Sequence, residues 1–437
     1  MDPAILHRIQ FGLSVAIHFI FAPLSIGLIT AIVIAKALHL ATKKPLWDRV
    51  ARFWTYFFGL TFAMGVATGI PLVFSFGTNW ARFSHFVADT LGPVFVSEAV
   101  FAFALEASFF GLLMYGQNKL SSIAHFIVAL CVATGAIASA FFIVAANSWM
   151  QTPGGVALVS HSPDSLIATM TSYEEVLFNK STWSHFFHVL FASWLTGAFF
   201  MLAISAWYFL RKKHEKLATA SFTLAALMAF TCTLGLLLNA DMLGRNVAQN
   251  NPEKFAAFEG TYTTTPYTPA YLFGWPSDKN RTVYGPKIPG LMSILAFHDA
   301  AKPVPGLDSF PPEDLPVVPL VFSVYHLMVI SWFAMFAASL IALWLLRKKR
   351  WQHHPKLLML LTFSLFLPPL ANLAGWCAAE FGRQPWVVYK LLKTQEAYSA
   401  HVTGGSTLFT LTSITLLYSA LLIVYCYFSL KKVKEGP

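Results

Sequence analysis

Apolar runs near or above 20 residues recur about nine times along these 437 residues, and a helix needs roughly 20 residues to cross the hydrocarbon core of a bilayer. No other feature restricts the fold as tightly. Hydrophobic residues make up 56% of the chain and charged residues only 11%, whereas soluble domains carry about a quarter charged residues. Such a chain cannot cover itself in water. The pattern predicts an all-α integral membrane protein, a bundle of nine transmembrane helices at about 9–40, 53–78, 94–117, 122–148, 184–210, 217–240, 317–346, 356–378 and 406–430.

The first run is followed by Lys43 and Lys44 without a small-residue cleavage site, so it reads as a retained span rather than a signal peptide. The formal charge of +10 does not point to nucleic acid, because the basic residues cluster in short groups at span ends, as membrane anchors do. One set of flanks holds seventeen of them: Lys43, Lys44, Arg49, Arg52, Lys119, Arg211, Lys212, Lys213, Lys216, Arg347, Lys348, Lys349, Arg350, Lys356, Lys431, Lys432 and Lys434. The opposite short flanks hold only Arg8, Arg82, Lys180, Arg383, Lys390 and Lys393. Cytoplasmic loops carry the excess, which predicts an external N-terminus and a cytoplasmic C-terminus. The four cysteines each fall in a separate apolar segment without CxxC or Cys/His spacing, so neither a disulfide framework nor a zinc site is indicated.

The longest connection, 242–316 between the sixth and seventh spans, contains eleven of the 24 prolines. Interleaved Pro, Tyr, Phe and Trp predict an ordered, largely irregular external binding loop. The chain thus divides into helices 1–6 (1–241), the loop (242–316) and helices 7–9 (317–437).

Several residues sit where lipid penalises them. His18 lies about 15 Å into the first span, and Glu98 and Glu106 lie in the third, where a charged carboxylate costs roughly 2.5–3.5 kcal/mol near a helix centre. His188 is in the fifth span, one turn past His185, and Met328 is in the seventh. Glu380 and Arg383 stand where the eighth span ends. These groups come from five helices yet agree in depth, in the outer half of the bilayer. Imidazole and thioether suit low-spin haem iron, and a lone histidine or a weak carboxylate suits a high-spin haem with an open position. The residues alone leave other readings open. A single histidine can be a helix–helix hydrogen-bond partner, Met328 can be core packing, Glu380 and Arg383 can be a simple ion pair one turn apart, and Glu106 can be protonated and structural.

Four stretches carry a resemblance. They are Arg8-Ile9-Gln10-Phe11-Gly12 with His18-Phe19 and Pro23-Leu24; Gly65-Val66-Ala67-Thr68-Gly69 followed by Phe76-Gly77-Thr78-Asn79-Trp80; Ala146-Asn147-Ser148-Trp149-Met150-Gln151 with Pro153; and Gly375-Trp376 through Glu380 to Gly382-Arg383-Gln384-Pro385-Trp386. Together, and in order along the chain, they resemble subunit I of cytochrome bd-type quinol oxidases, in the form with the shorter quinol loop.

The resemblance implies a quinol oxidase of a bacterial or archaeal cytoplasmic membrane that reduces O2 to water. It implies a low-spin haem b on His188 and Met328, with a high-spin haem b and a haem d, or a second high-spin haem b, near His18, Glu98 and Glu380. Trp376 and Arg383 lie in the same haem-binding motif. Glu106 matches the carboxylate beside these haems, with His125 and Ser139 on a proton route. Lys254-Phe255-Ala256-Ala257-Phe258-Glu259 matches the quinol-oxidation segment and Asp241 an acid just before it. In that match Glu259 accepts a proton of the quinol and Lys254 orients a quinol oxygen; without it both read as ordinary solvated charges. A second large subunit is implied as partner, with small single-span subunits beside it. Three positions depart from the family pattern: His326 replaces a common arginine, and Val73 and Ser75 stand where a carboxylate and an amide are frequent. Two other classes fit the residues without the resemblance, a haem-independent transporter or channel and a two-haem electron-transfer subunit that does not bind oxygen.

Overall fold

The computed structural model describes residues 3–162, 165–348 and 351–437. Among the described residues nine helices are long and apolar enough to span a membrane. They are α1 (Pro3–Thr42), α2 (Pro45–Thr78), α3 (Ala81–Tyr115), α4 (Ser122–Gln151), α5 (Thr182–Arg211), α6 (Glu215–Asn250), α7 (Val318–Lys348), α8 (Pro355–Phe381) and α9 (Gly404–Glu435). A helix satisfies its own backbone polar groups, the one requirement lipid imposes on an open chain. Lys349 and Arg350, counted above among the basic flanks, lie outside the described residues.

Two spans differ most from the sequence reading. α3 starts at Ala81 rather than near 94, because Arg82 and Asp89 depress its hydropathy while other parts of the chain cover it. That cover is an antiparallel hairpin of β1 (Val156–Ser162) and β2 (Ser165–Met170) between α4 and α5. Asp89 Oδ2 accepts the Met170 N–H at 3.1 Å and Thr90 Oγ1 donates to the Ala168 carbonyl at 2.5 Å. Glu98 therefore lies midway along a 35-residue helix, not near its outer end. α6 continues to Asn250 instead of ending near 240, so Asp241 is a helical residue.

The long connection is more structured than its proline content suggested. It holds a short helix, Pro252–Glu259, a second at Leu291–Phe297, and two small antiparallel pairings, Ala270–Tyr271 with Lys287–Ile288 and Trp275–Ser277 with Thr282–Tyr284.

The helices form two groups of four. In one, α1 packs on α2 and α4, and α3 on α4 and α2; in the other, α5 packs on α6 and α8, and α7 on α6 and α8. The groups join where α1 and α4 meet α5, and α9 lies against α1 and α2. Large rings fill that junction: Phe21, Trp54, Phe57, Phe58, Phe199 and Phe222 are all fully buried. Burial of this kind leaves the polar side chains few places to stand, and those places define the site.

Candidate functional site

His18 projects from α1 onto α2. Its Nδ1 lies 3.1 Å from Thr68 Oγ1, and that hydroxyl donates its own proton to the Met64 carbonyl at 2.7 Å. Thr68 can then only accept, so Nδ1 carries the ring proton and Nε2 keeps its lone pair. Metal-ligating histidines are oriented in this way, with the second ring nitrogen donating to a fixed partner. Gly69 makes the approach possible, since a Cβ there would lie 3.1 Å from His18 Cε1.

His188 and Met328 stand on α5 and α7, diagonal corners of the second helix group. Side chains on facing corners could hold a group between them. His188 Nδ1 is buried and makes no well-formed hydrogen bond, the side chain of Asn239 on α6 being its neighbour. On α8, a Cβ on Gly375 would come within 2.8 Å of Met328 Sδ, so the glycine keeps room for the thioether. His185, one turn before His188, is engaged with Ser148 Oγ at 2.8 Å. Trp376 is half-buried next to Gly375.

Glu98 opens a single π-helical stretch, Glu98–Phe103, inside α3; such bulges recur at functional sites because they re-aim a side chain. Its Oε1 accepts from Ser139 Oγ of α4 at 2.6 Å. Glu106, further along α3, is 7% exposed. Glu380, at the end of α8, accepts from Asn147 Nδ2 at 2.9 Å and pairs with Arg383. Arg383 is 5% exposed, and its Nε and Nη1 have no partner; neither has the buried Trp386 Nε1. Buried guanidinium N–H groups without an acceptor are costly, and a bidentate anion such as a carboxylate matches their fork.

The loop charges are not solvated. Lys254 and Glu259 of the short helix are 3% and 5% exposed. Lys254 Nζ donates to Gln151 Oε1 at 3.0 Å and lies 5.7 Å from the Phe258 ring. Burial, reinforced by the Arg383 charge and opposed by Glu380, brings its ammonium down to about 7. Glu259 meets Tyr325 and His326 of α7, and burial raises its carboxyl although both neighbours oppose the rise. Five residues along a helix turn the side chain by about 140°, so Lys254 faces α4 and α8 while Glu259 faces α7. Asp241 does not join them: it pairs with Arg245 at 2.6 Å and with His298 at 3.2 Å, tying α6 to the loop.

The last turns of α4 connect these groups. Asn147 reaches Glu380, Ser148 reaches His185, and Gln151 reaches Lys254. By sequence these three residues carry only the family resemblance and no role of their own. Tyr325 and Thr68 were also missed, because neither residue type signals a site until its partner is known. Of the departures noted above, His326 places both ring nitrogens against backbone carbonyls, those of Phe322 at 2.9 Å and Tyr271 at 3.0 Å, and Val73 is exposed.

Buried histidines, a thioether, carboxylates and a guanidinium with two unpartnered nitrogens, inside a bundle of membrane-spanning helices with an ordered loop at one end, define a membrane redox subunit of the haem-bearing kind. Residues 6–437 match the family model described as cytochrome bd terminal oxidase subunit I, and the chain belongs to that family. It is 34% identical to cytochrome bd-II ubiquinol oxidase subunit 1 of Escherichia coli (strain K12), over 99% of this chain and 96% of that protein. It is 33% identical to cytochrome bd ubiquinol oxidase subunit 1 of Bacillus subtilis (strain 168), over 100% and 94%. The bd oxidase structure from Geobacillus thermodenitrificans superposes with a TM-score of 0.90 at 29% identity, covering 100% of this chain and 99% of that one. The protein is thus a multi-pass membrane enzyme, a quinol oxidase that reduces oxygen, with haem cofactors and a second subunit.

Proposed function

We propose that this chain is the catalytic subunit in which three haems connect quinol oxidation at the external face to reduction of O2 to water. His188 and Met328 would hold a low-spin haem b, and His18, Glu98 and Glu380 a high-spin haem b and a haem d, or a second high-spin haem b. The observation that carries this reading is the set of buried polar atoms without partners, Arg383 Nε and Nη1 and Trp386 Nε1, together with a His18 ring whose Nε2 lone pair is left free by the contact of Nδ1 with Thr68. Arg383 and Trp386 offer donors suited to porphyrin carboxylates, with Trp376 packing nearby. Bound haem supplies the one-electron couple that accepts electrons from quinol and the iron at which oxygen is reduced.

The chain's own residues handle the quinol and the protons. Quinol oxidation releases two electrons and two protons. Glu259, desolvated and next to the Tyr325 hydroxyl, accepts a proton from one quinol oxygen, while Lys254, held by Gln151, orients the other. Because the two residues face different sides of the short helix, the quinol must lie along it. The excess of basic residues on one set of flanks supports an external loop and a cytoplasmic C-terminus, and with them external release of the quinol protons. Protons for water then travel through the bundle, by way of Glu106 and the Ser139–Glu98 pair. Asp241 acts at a distance, by holding the loop to α6. Small single-span subunits would sit against the exposed outer helices.

The test is quinol-driven oxygen consumption by the whole complex with E259Q and K254M, alongside haem content. Loss of turnover at normal haem content supports the assignment. Undiminished turnover in both variants would remove the quinol site from this helix.

A further inference from the structure

A second buried polar cluster lies at the opposite end of the bundle. Lys36 of α1 and His125 of α4 are 5% and 4% exposed, and Lys36 Nζ is 2.6 Å from His125 Nδ1. His125 Nε2 lies 3.0 Å from the Leu113 carbonyl of α3, which can only accept. Nε2 therefore carries the ring proton, Nδ1 is the acceptor, and Lys36 donates to it. Among the described residues Lys36 forms no ion pair with a carboxylate. The nearest candidate, Asp48 of α2, is held by Arg52 at 2.7 Å, and His39 turns its Nδ1 to the Lys44 carbonyl at 3.0 Å.

Both bases line a cavity of about 40 Å³ together with His39, Asp48, Arg52 and Gln117. At 10–15 Å³ per probe-sized water this is room for roughly three waters. A buried ammonium is expensive in lipid unless it is solvated or does work there. Beyond the pair, α3 carries Glu106 two turns from Leu113, then Glu98 two turns further, bonded to Ser139. The steps are about 10–12 Å each along the helix. The polar groups of the α1–α3–α4 seam thus form a line from this cavity to the middle of the bundle.

We propose that Lys36 is the residue that admits protons into this line. The N–H bond of its ammonium breaks as one forms on His125 Nδ1. His125 then releases its Nε2 proton to water on the way to Glu106, cavity water reprotonates Lys36, and return of the ring proton from Nδ1 to Nε2 restores the starting tautomer, so charge and protons balance over the cycle. The proposal rests on the oxidase reading above.

The test uses the intact complex carrying K36M, K36R or H125F. Haem content per chain confirms assembly of each variant. Steady-state oxygen reduction is measured beside the anaerobic rate at which quinol reduces the haems, since only the former consumes protons from this end. Oxygen reduction should fall about tenfold or more in K36M and H125F, with haem reduction by quinol within about twofold of the parent. K36R should be as slow as K36M, because arginine keeps the charge but does not give up its proton. Wild-type oxygen turnover in K36M, or full rescue by K36R, overturns the relay. A parent complex unable to reduce oxygen would instead overturn the oxidase reading, and the relay with it.

Discussion

Replacing Gly375 with alanine tests the ligand geometry at a single atom. The added Cβ would sit 2.8 Å from Met328 Sδ, against the 3.5–4.0 Å preferred by non-bonded heavy atoms. The thioether must retreat by roughly 0.7–1.2 Å, several times the ~0.2 Å latitude of a metal–ligand distance. Overpacking of this kind costs about 1–3 kcal/mol, so the ligated population should fall by roughly 5- to 150-fold relative to the unligated one. Two optical measurements on the purified complex report it: the amplitude of the low-spin band in the reduced minus oxidised spectrum, and carbon monoxide binding to the reduced protein. G375A should lose low-spin amplitude and gain a carbon monoxide-reactive haem b, because an axial position has opened. An unchanged band with no new carbon monoxide binding would refute the reasoning that Met328 is a ligand seated on Gly375.

Further outcomes follow from the same contacts. E259Q removes a general base and should lower quinol oxidation roughly 10²- to 10⁴-fold, with little change in KM for quinol. Lys254, brought down to about 7, is a charged hydrogen-bond donor below that pH and a weaker, neutral one above it. KM for quinol should therefore rise as pH passes upward through 7 in the parent and stay flat in K254R. The same shift makes the sign of the stability effect definite: the unfolded chain binds the Lys254 proton up to its ordinary value of about 10.4, so this residue's contribution becomes more favourable as pH rises from 7, readable in thermal unfolding. R383Q leaves the partly exposed Glu380 carboxylate with Asn147 as its remaining partner and should reduce haem retention. D241N, by contrast, breaks a half-exposed cluster worth about 0–1 kcal/mol and should leave haem content unchanged.

The nine spans were legible because each apolar run forms its own helix whatever surrounds it. The start of α3 was not, because Arg82 and Asp89 read as interfacial until the hairpin from 156–170 is seen covering that face. The burial of Lys254 and Glu259 was equally hidden: a charge in a proline-rich loop looks solvated, and only the packing of the short helix against α6 and α7, with Lys254 reaching Gln151 of α4, removes it from water. His18, His188 and Met328 could be singled out by residue type. The features that support them, Thr68 fixing a tautomer and Gly69 and Gly375 making room, depend on which helices touch. Lys36 sits inside the first predicted span, yet its partner His125 is 89 positions away.

Haem content tests the three-haem reading most directly. Pyridine haemochrome and acid-extraction analysis of the purified complex, taken with its reduced minus oxidised visible spectrum, should give three haems per copy of this chain, one of them low-spin b-type. A colourless preparation from haem-sufficient cells, or two low-spin haems with no oxygen-reactive site, would contradict it.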